Sequence, residues 1–595
     1  MKLDLQQILI VLAVITLAFS FPLLAEDTGI EYRVEFDEVE DGKILSQLKE
    51  ISDTVGLRES PPLSLLQLHR RVQRDEVTFV KALRAEGYYA SSVTSVVEVG
   101  DELSTVQFSI DMGPQYHFAT ATVELVELPE DTSITVPTPG ELGLKAGRPA
   151  LAQTVVDVEQ MLLKALRDQG FPFARVLERE VVVDHALHSM EVTYRLTSGP
   201  FAYFGQLRIS GLDKVREKVV VTESPWQKEM PYNDGSLETL RKRLYDTGLF
   251  SVVRVEPADA LDQNQTLPID LELTERKHRT LWAGAEYDLD EGLGTRTGWE
   301  HRNIQGLGRR LLFELRVGET RLEARSEFSI RHFKRRDQTL RLSLEGGRHD
   351  PKAFETRRVR ASVMLQRKLS KHVTGGLGVA MKVSEVEQLE DTDSFRLLSL
   401  PAQLSWNRAN SALDPTRGFK ISGRTEPFAD FISGETVFLK SDIAANHYLP
   451  LAGDGKLVFA TRVMFGAIVG ESKRNIPADD RFYAGGGGSI RGYPFQTVGP
   501  LIGDDPTGGR SVFESSAELR YRFAESFGVV AFVDGGSAFE STFPDFKEDI
   551  LFGTGLGLRY FSPIGPLRMD VAFPLDRRVG VDDSFQLYIS IGQAF

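Results

Sequence analysis

The stretch Phe482–Gly499, FYAGGGGSIRGYPFQTVG, sets one arginine, Arg491, between a four-glycine run and the pair Gly492-Tyr493. A guanidinium stays charged and presents a planar fork of donors, so its chemistry is ion pairing, bidentate where the partner is planar. Phosphate is a poor fit, because no Gly-Lys-Ser/Thr follows the glycines and no helical pattern opens behind them. Catalysis fits no better. The chain shows no nucleophile-elbow sequence, and its ten histidines are scattered rather than clustered. An arginine neutralised by buried acids is more often structural than reactive. A glycine-rich loop presses readily against other backbone, but this one is expected to have too little apolar surface to hold itself in place. Its arginine therefore needs acidic anchors elsewhere.

Two strand-like segments downstream supply them. In Ser516–Phe523 the residues Ala517, Leu519, Tyr521 and Phe523 form an apolar face, which turns Glu518, Arg520 and Arg522 to the other side. In Phe527–Gly536 the apolar set Phe527, Val529, Ala531 and Val533 leaves Phe532, Asp534 and Gly536 opposite. The short turn Ala524-Glu525-Ser526 joins the two segments, so Glu518 and Asp534 share a facing on neighbouring strands at similar height. The following strand offers Gly553, Gly555 and Gly557 on the same side, a smooth wall against which a loop can lie. An inward-folded loop that sets Arg491 between two carboxylates is the expectation.

The elements that position these residues belong to a chain of 595 residues, too long for one ordinary core, with a net charge of −15 and no cysteine. The acidic balance and the lack of a basic patch argue against nucleic acid. Disulfides and cysteine-ligated metals are excluded, and no metal site or cofactor is expected. Lys2, an apolar run from Ile8 to Phe19, and Leu23-Leu24-Ala25 before Glu26-Asp27 read as an export signal over residues 1–25; a retained N-terminal anchor is the alternative. No later segment is apolar enough over a helical span to cross a bilayer. An exported chain can still be a membrane protein if its strands close into a barrel, because alternating strands escape hydropathy scans.

Up to about Lys277 the chain repeats itself. Leu83-Arg84-Ala85-Glu86-Gly87-Tyr88-Tyr89 returns as Leu166-Arg167-Asp168-Gln169-Gly170-Phe171-Pro172 and as Leu244-Tyr245-Asp246-Thr247-Gly248-Leu249-Phe250. Each glycine follows an amphipathic helical stretch, as a helix-ending glycine should, and precedes an alternating strand. Each unit opens with a strand, at Tyr32–Phe36, His117–Glu124 and Phe204–Ser210, and Gly113-Pro114 and Gly199-Pro200 mark joints. Three tandem α+β modules are expected, at 28–113, 114–199 and 200–276. An unrelated α+β spacer array is the rival reading.

From about Thr280 helical periodicity gives way to alternation. Leu340, Leu342 and Leu344 alternate with Arg341, Ser343 and Glu345, and Val359, Ala361, Val363 and Leu365 alternate with polar residues. Short turns such as Ala452–Lys456 and longer polar stretches are expected to take turns between strands, as in an outer-membrane barrel. At roughly 20 residues per strand and connection, residues 280–595 hold about sixteen antiparallel strands. A soluble sandwich would have to bury the charges on one face of these strands. Phe585, Leu587, Ile589, Ile591 and Phe595 are expected on one face of a last strand, Ser584–Phe595, that runs to the chain end.

The modules resemble polypeptide-transport-associated (POTRA) domains, and Phe204–Gly211 is similar to the opening strand of that family. Ile490-Arg491-Gly492-Tyr493 resembles the arginine-glycine-aromatic motif in the sixth extracellular loop of the outer-membrane assembly and secretion-pore superfamily that includes BamA, TamA and two-partner secretion transporters. Phe532–Gly536 resembles its partner-strand motif, and Glu518 stands where the second acid does. Gly557–Arg559 and Pro563–Asp570 look typical as well. Three modules point to the TamA branch.

The resemblance implies a bacterial outer-membrane barrel, 280–595, with POTRA domains in the periplasm. An inward-folded loop, 469–510, would be locked by Arg491, Gly492, Tyr493, Glu518, Phe532, Asp534 and Gly536. It implies a weak seam between a first strand at about Leu281–Leu289, through Leu281, Ala283 and Ala285, and the last, through Phe585, Leu587, Ile589, Ile591 and Phe595. It implies insertion or secretion of unfolded outer-membrane or surface proteins without nucleotide hydrolysis and without an enzyme activity. Outer-membrane lipids and a TamB-like periplasm-spanning protein are the implied partners. A passive solute channel and a dedicated two-partner secretion pore are the alternatives.

Overall fold

The computed structural model describes residues 29–595 other than 38, 40, 102, 128–133, 289–291, 433, 435, 454 and 564. The expected export signal, and Leu289 of the expected first barrel strand, lie outside them. Among the described residues no helix is long and apolar enough to cross a membrane.

The N-terminal part holds three small three-stranded sheets of one topology, each with its third strand in the middle. In the first, Tyr32–Asp37 runs parallel to Ser104–Asp111, which pairs antiparallel with Ser92–Glu98. Helix Leu65–Ala85 starts at Ser64, whose hydroxyl accepts the Gln67 N–H. Its Leu68, Val72, Phe79 and Leu83 recur at helical spacing and bury against Val106, Phe108 and Ile110. The second sheet repeats the plan, with Val155, Val158, Leu162 and Leu166 of helix Ala152–Arg167 packed on Val192, Tyr194 and Leu196. The third consists of Tyr203–Ser210, Thr266–Glu275 and Phe250–Pro257, beside helix Asp234–Asp246. The repeated glycines end their helices as expected: Gly87, Gly170 and Gly248 sit at φ +91, +103 and +70, backbone that a side chain would resist.

Residues 279–591 form one antiparallel sheet in which sequence neighbours pair in turn. Its strands are β1 (Arg279–Asp288), β2 (Gly292–Ile304), β3 (Arg309–Gly318), β4 (Arg321–Arg331), β5 (Gln338–His349), β6 (Glu355–Lys368) and β7 (Val373–Gln388). After these, β8 comes in two pieces, Asp391–Ser399 and Ala402–Asn407. The rest are β9 (Gly418–Asp430), β10 (Val437–Pro450), β11 (Leu457–Val469), β12 (Ser511–Arg522), β13 (Phe527–Phe539), β14 (Leu551–Ser562), β15 (Gly565–Pro574) and β16 (Gln586–Ile591). The two pieces of β8 pair with β7 and β9 in one continuous register, since Ser399 faces Ala380 and Ala402 faces Leu377. The interruption falls at Leu400-Pro401, where proline has no N–H to give the ladder. Joined across it, the strands among the described residues number sixteen, in line with the expected count of about sixteen.

Facing follows the alternation. Leu342, Leu344, Val359, Val363, Val529 and Val533 are exposed on the outer side, and outward apolar side chains recur along nearly every strand. A soluble protein would not leave so much contiguous apolar surface in water. The other side carries interlaced charges: Arg325 reaches Glu327 at 2.8 Å and Glu345 at 3.5 Å, and Arg360 reaches Glu426 at 2.6 Å.

Two expectations are corrected. Connections do not alternate between short and long, because those on the side of the long loop include the turns 319–320, 350–354 and 389–390. Polar stretches such as Ser384–Asp393 are paired strand ends, since strands like β7, with 16 residues, are longer than the roughly 9–11 needed to span. Nor does the last strand reach the chain end. After Ile591 the backbone turns at Gly592, φ +97, and Phe595 leaves the outer face, with the Arg520 guanidinium 5.0 Å from its ring centroid.

The outward facing of β5 is testable. Leu344→Arg puts a charge where the bilayer lies and should lower stability by about 2–4 kcal/mol near the midplane, read by equilibrium unfolding in lipid vesicles. An exposed leucine of a soluble protein would tolerate the change, so an unaltered unfolding curve would reject the membrane facing.

Candidate functional site

The long connection between β11 and β12, residues 470–510, covers the inner face of the sheet. Its own residues Ile476, Ala478, Phe482, Ala484, Ile490, Tyr493 and Val498 are buried in one cluster with Phe395, Phe428 and Phe438 of the wall. The expectation of a loop without enough apolar surface is therefore wrong. The four-glycine run is local to 485–488, and apolar residues on either side of it carry the packing.

At the tip of this packing Arg491 is 2% exposed. Its Nε and Nη2 donate to the two carboxylate oxygens of Asp534 at 2.6 and 2.9 Å, a bidentate pair, and its backbone N–H donates to the same group at 3.1 Å. Nη2 lies 2.8 Å from Glu518 Oε1, so both expected acids are in place. Phe532 adds its ring face, 3.4 Å from the guanidinium carbon. Register explains the convergence: Ser516 faces Asp534 and Glu518 faces Phe532, so the two acids lie one inward pair apart on β12 and β13.

A third carboxylate was missed. Asp570 on β15 accepts from Arg491 Nη1 at 2.9 Å and also pairs with Arg559, while Glu518 is shared with Arg520 at 2.7 Å. Arg568 lies 3.5 Å from Asp570. Ser516 ties Asp534 at 2.6 Å. The alternation of Leu567, Met569 and Val571 with Arg568 and Asp570 carried the signal, because it puts Asp570 on the inward face. The inward glycines of β14 make the approach physical. A Cβ on Gly553 would overlap the Arg491 carbonyl oxygen, and one on Gly557 would overlap the Asp570 carboxylate.

The rest of the expected lock is close by, in different roles. Gly492 places its backbone against Phe573 and Pro574 of β15, and its N–H donates to the Tyr588 hydroxyl at 3.2 Å. The Tyr493 hydroxyl donates to the Phe552 carbonyl at 2.8 Å. A Cβ on Gly536 would overlap the Phe513 carbonyl oxygen of β12 and meet Ile490 Cδ1 of the loop at 3.1 Å.

A second anchor had no signal in the reading. Lys382 on β7, buried, holds Asp479 at 3.0 Å and pairs closely with Asp480, and Lys440 on β10 donates to the Asp480 carbonyl at 2.6 Å. Lys382 lies 97 residues from Asp479 and Lys440 lies 40 from Asp480, and no periodic pattern joins them.

The expected seam residues lie on the two terminal strands. Leu281, at 80% exposure, Ala283 and Ala285 face outward on β1, and Leu587, Ile589 and Ile591 face outward on β16, with Phe585 exposed just before it. Phe595 is the exception already described. Among the described residues no ladder joins β1 to β16: β1 pairs with β2, and β16 with β15.

Sixteen outward-apolar strands behind small α+β modules define a bacterial outer-membrane β-barrel with its modules in the periplasm. Residues 303–595 match the Omp85 superfamily domain, and residues 202–276 match the surface antigen variable number repeat, POTRA. The outer membrane protein assembly factor BamA of Neisseria meningitidis serogroup B is 24% identical over 466 residues, 67% of this chain and 56% of that protein. BamA of Nitratidesulfovibrio vulgaris is 24% identical over 601 residues, 96% of this chain and 74% of its own length. This chain thus spans little more than half of the Neisseria relative. Among solved structures, BamA from Haemophilus ducreyi lacking POTRA domains 1–3 shares the fold, with a TM-score of 0.66 at 18% identity over 80% of this chain and 99% of that one. Residues 303–595 are thus an Omp85 superfamily domain, preceded by a POTRA repeat.

Removing one partner of a buried ion cluster leaves uncompensated charge. Arg491→Ala should cost about 3–5 kcal/mol and open residues 470–510 to protease, and Arg491→Lys, which keeps the charge but loses the fork, should fall between it and the wild type. Thermal unfolding with limited proteolysis checks both; wild-type midpoint and protection in the alanine variant would remove Arg491 as the anchor.

Proposed function

We propose that this protein assembles other proteins into the outer membrane, or moves them across it, using binding and folding energy and no nucleotide chemistry. The observation that carries this reading is the absence of a β1–β16 ladder among the described residues. A strand edge without a partner presents a row of N–H and C=O groups, which template an incoming strand by β-augmentation. In the bilayer core that edge has no water to satisfy it, so it favours capture of a strand over remaining open.

In this reading Leu281, Ala283, Ala285, Leu587, Ile589 and Ile591 flank the opening. Arg491, with Glu518, Phe532, Asp534 and Asp570, locks the loop against β12–β15 beside it. Modules 28–113, 114–199 and 200–276 receive unfolded outer-membrane or secreted proteins in the periplasm. The count of three modules favours a TamA-type role with a TamB-like partner, whereas the two curated relatives described above are BamA assembly factors. The protein works as an assembly factor and not as an enzyme.

The chain has no cysteine of its own, so engineered pairs report cleanly. Cysteines scanned across Leu281–Ala285 and Leu587–Ile591 should cross-link. The oxidised protein should then fail to insert a client barrel into proteoliposomes, and reduction should restore insertion. Undiminished insertion by the cross-linked protein would refute the seam. In planar bilayers the protein should be mostly closed; a steady, solute-selective current would instead favour the passive channel.

A further inference from the structure

We propose that the rim of the barrel carries a binding site for the phosphate of an anionic phospholipid of the periplasmic leaflet. The site is a cleft of about 280 Å³ between helix Glu217–Glu223 and the turns that join β2 to β3 and β4 to β5. Lys218, Arg309, Arg331 and Lys334 line it with His332, and the acid among the lining residues is Glu223. Glu223 is 3% exposed and already engaged, accepting from or facing His332 Nε2 at 2.9 Å. Arg331 is turned toward the Asp246 carbonyl at 2.7 Å. That leaves Lys218, Arg309 and Lys334 as the cations available to a ligand. Arg309 gives Nη1 to Gln305 at 3.1 Å, but its Nε is buried with no hydrogen-bond partner among the described residues.

The surroundings choose a lipid over a free anion. The cleft's wall includes Leu307, Ile330 and Phe333, and Ile330 stands opposite Leu340 on β5. Two residues further along, Phe328 stands between Leu311 and Leu342. By strand alternation Leu311, Phe328, Ile330 and Leu340 face outward with the exposed Phe313 and Leu342. An apolar stripe therefore runs from the cationic cleft along the lipid-facing wall, the arrangement that a phosphate with acyl chains attached would fill. Juxtamembrane cations of this kind attract anionic headgroups, each with an effect of about fivefold on binding.

The site does not depend on the assembly function, and its test needs no client protein. Purified full-length protein is titrated with phosphatidylglycerol, phosphatidylcholine or inorganic phosphate and read by native mass spectrometry, with heat-modifiable gel mobility as the check on folding. Wild type should retain phosphatidylglycerol in preference to phosphatidylcholine. Lys218→Gln with Lys334→Gln should weaken that retention about twenty-fivefold. The same neutralisation at Lys371 and Arg408, on other turns of the same rim, should leave it unchanged, and Lys218→Arg with Lys334→Arg should preserve it. Equal retention by wild type and the glutamine variant, equal weakening by the control pair, or phosphate bound as tightly as the lipid would overturn the proposal.

Discussion

A guanidinium held at 2% exposure inside a barrel is the constraint on which the rest of the barrel interior depends. Taking such an ion out of water costs several kcal/mol, and only close, well-oriented counter-charges offset it. Asp534 answers with a two-toothed grip, Glu518 and Asp570 with one oxygen each, and the Phe532 ring covers one face. These acids are themselves shared with Arg520 and Arg559, so the cluster is a network rather than a pair. Three strands, β12, β13 and β15, must hold their registers for it to exist. The strand between the last two, β14, must stay thin where the loop and Asp570 approach it, and Gly553 and Gly557 stand at those inward positions.

The loop is fixed in two ways that differ physically. Burial of Ile476, Phe482, Ile490, Tyr493 and Val498 is non-directional and would accept many poses. The forked ion pairs at Arg491 and the lysine contacts at Asp479 and Asp480 select one of them. The two anchors lie on different walls, β12–β15 for one and β7 with β10 for the other. The loop is thereby pinned at its start and near its middle, and the Tyr588 hydroxyl links it to the last strand, β16, donating to the Tyr493 carbonyl at 3.1 Å and accepting from the Gly492 N–H at 3.2 Å.

That link connects the ion cluster to the place where, among the described residues, no ladder joins β16 to β1. β16 has six residues, and the chain turns inward after it, so the final strand offers little length for closing onto β1. Arg520, which shares Glu518 with Arg491, also has Phe595 beside it, and Gln593 bonds Arg559 at 2.9 Å. The chain terminus is thus held by the same arginines that neutralise the acids of the loop lock.

The amino-acid sequence by itself determined what local pattern can carry. Two-residue alternation gave the strand facing, and with it the inward placement of Glu518, Phe532 and Asp534. Helical stripes followed by glycine gave the repeated modules. The proline at 401 accounts for the one broken strand. Tertiary structure alone decided what depends on partners far apart in the chain. Asp570 faces inward by the same rule as Asp534, but only the register of β13, β14 and β15 brings it to Arg491. Lys382 and Asp480 meet because a loop crosses the interior; alternation turns Lys382 inward between Met381 and Val383, but no pattern marks Asp480 as its partner. The loop's burial was underestimated, because isolated apolar residues in a glycine-rich stretch show no stripe until a wall is there to receive them. Phe595 sits on the outward face by alternation and leaves it in the fold, because one glycine after Ile591 turns the backbone, and alternation holds only while the strand does.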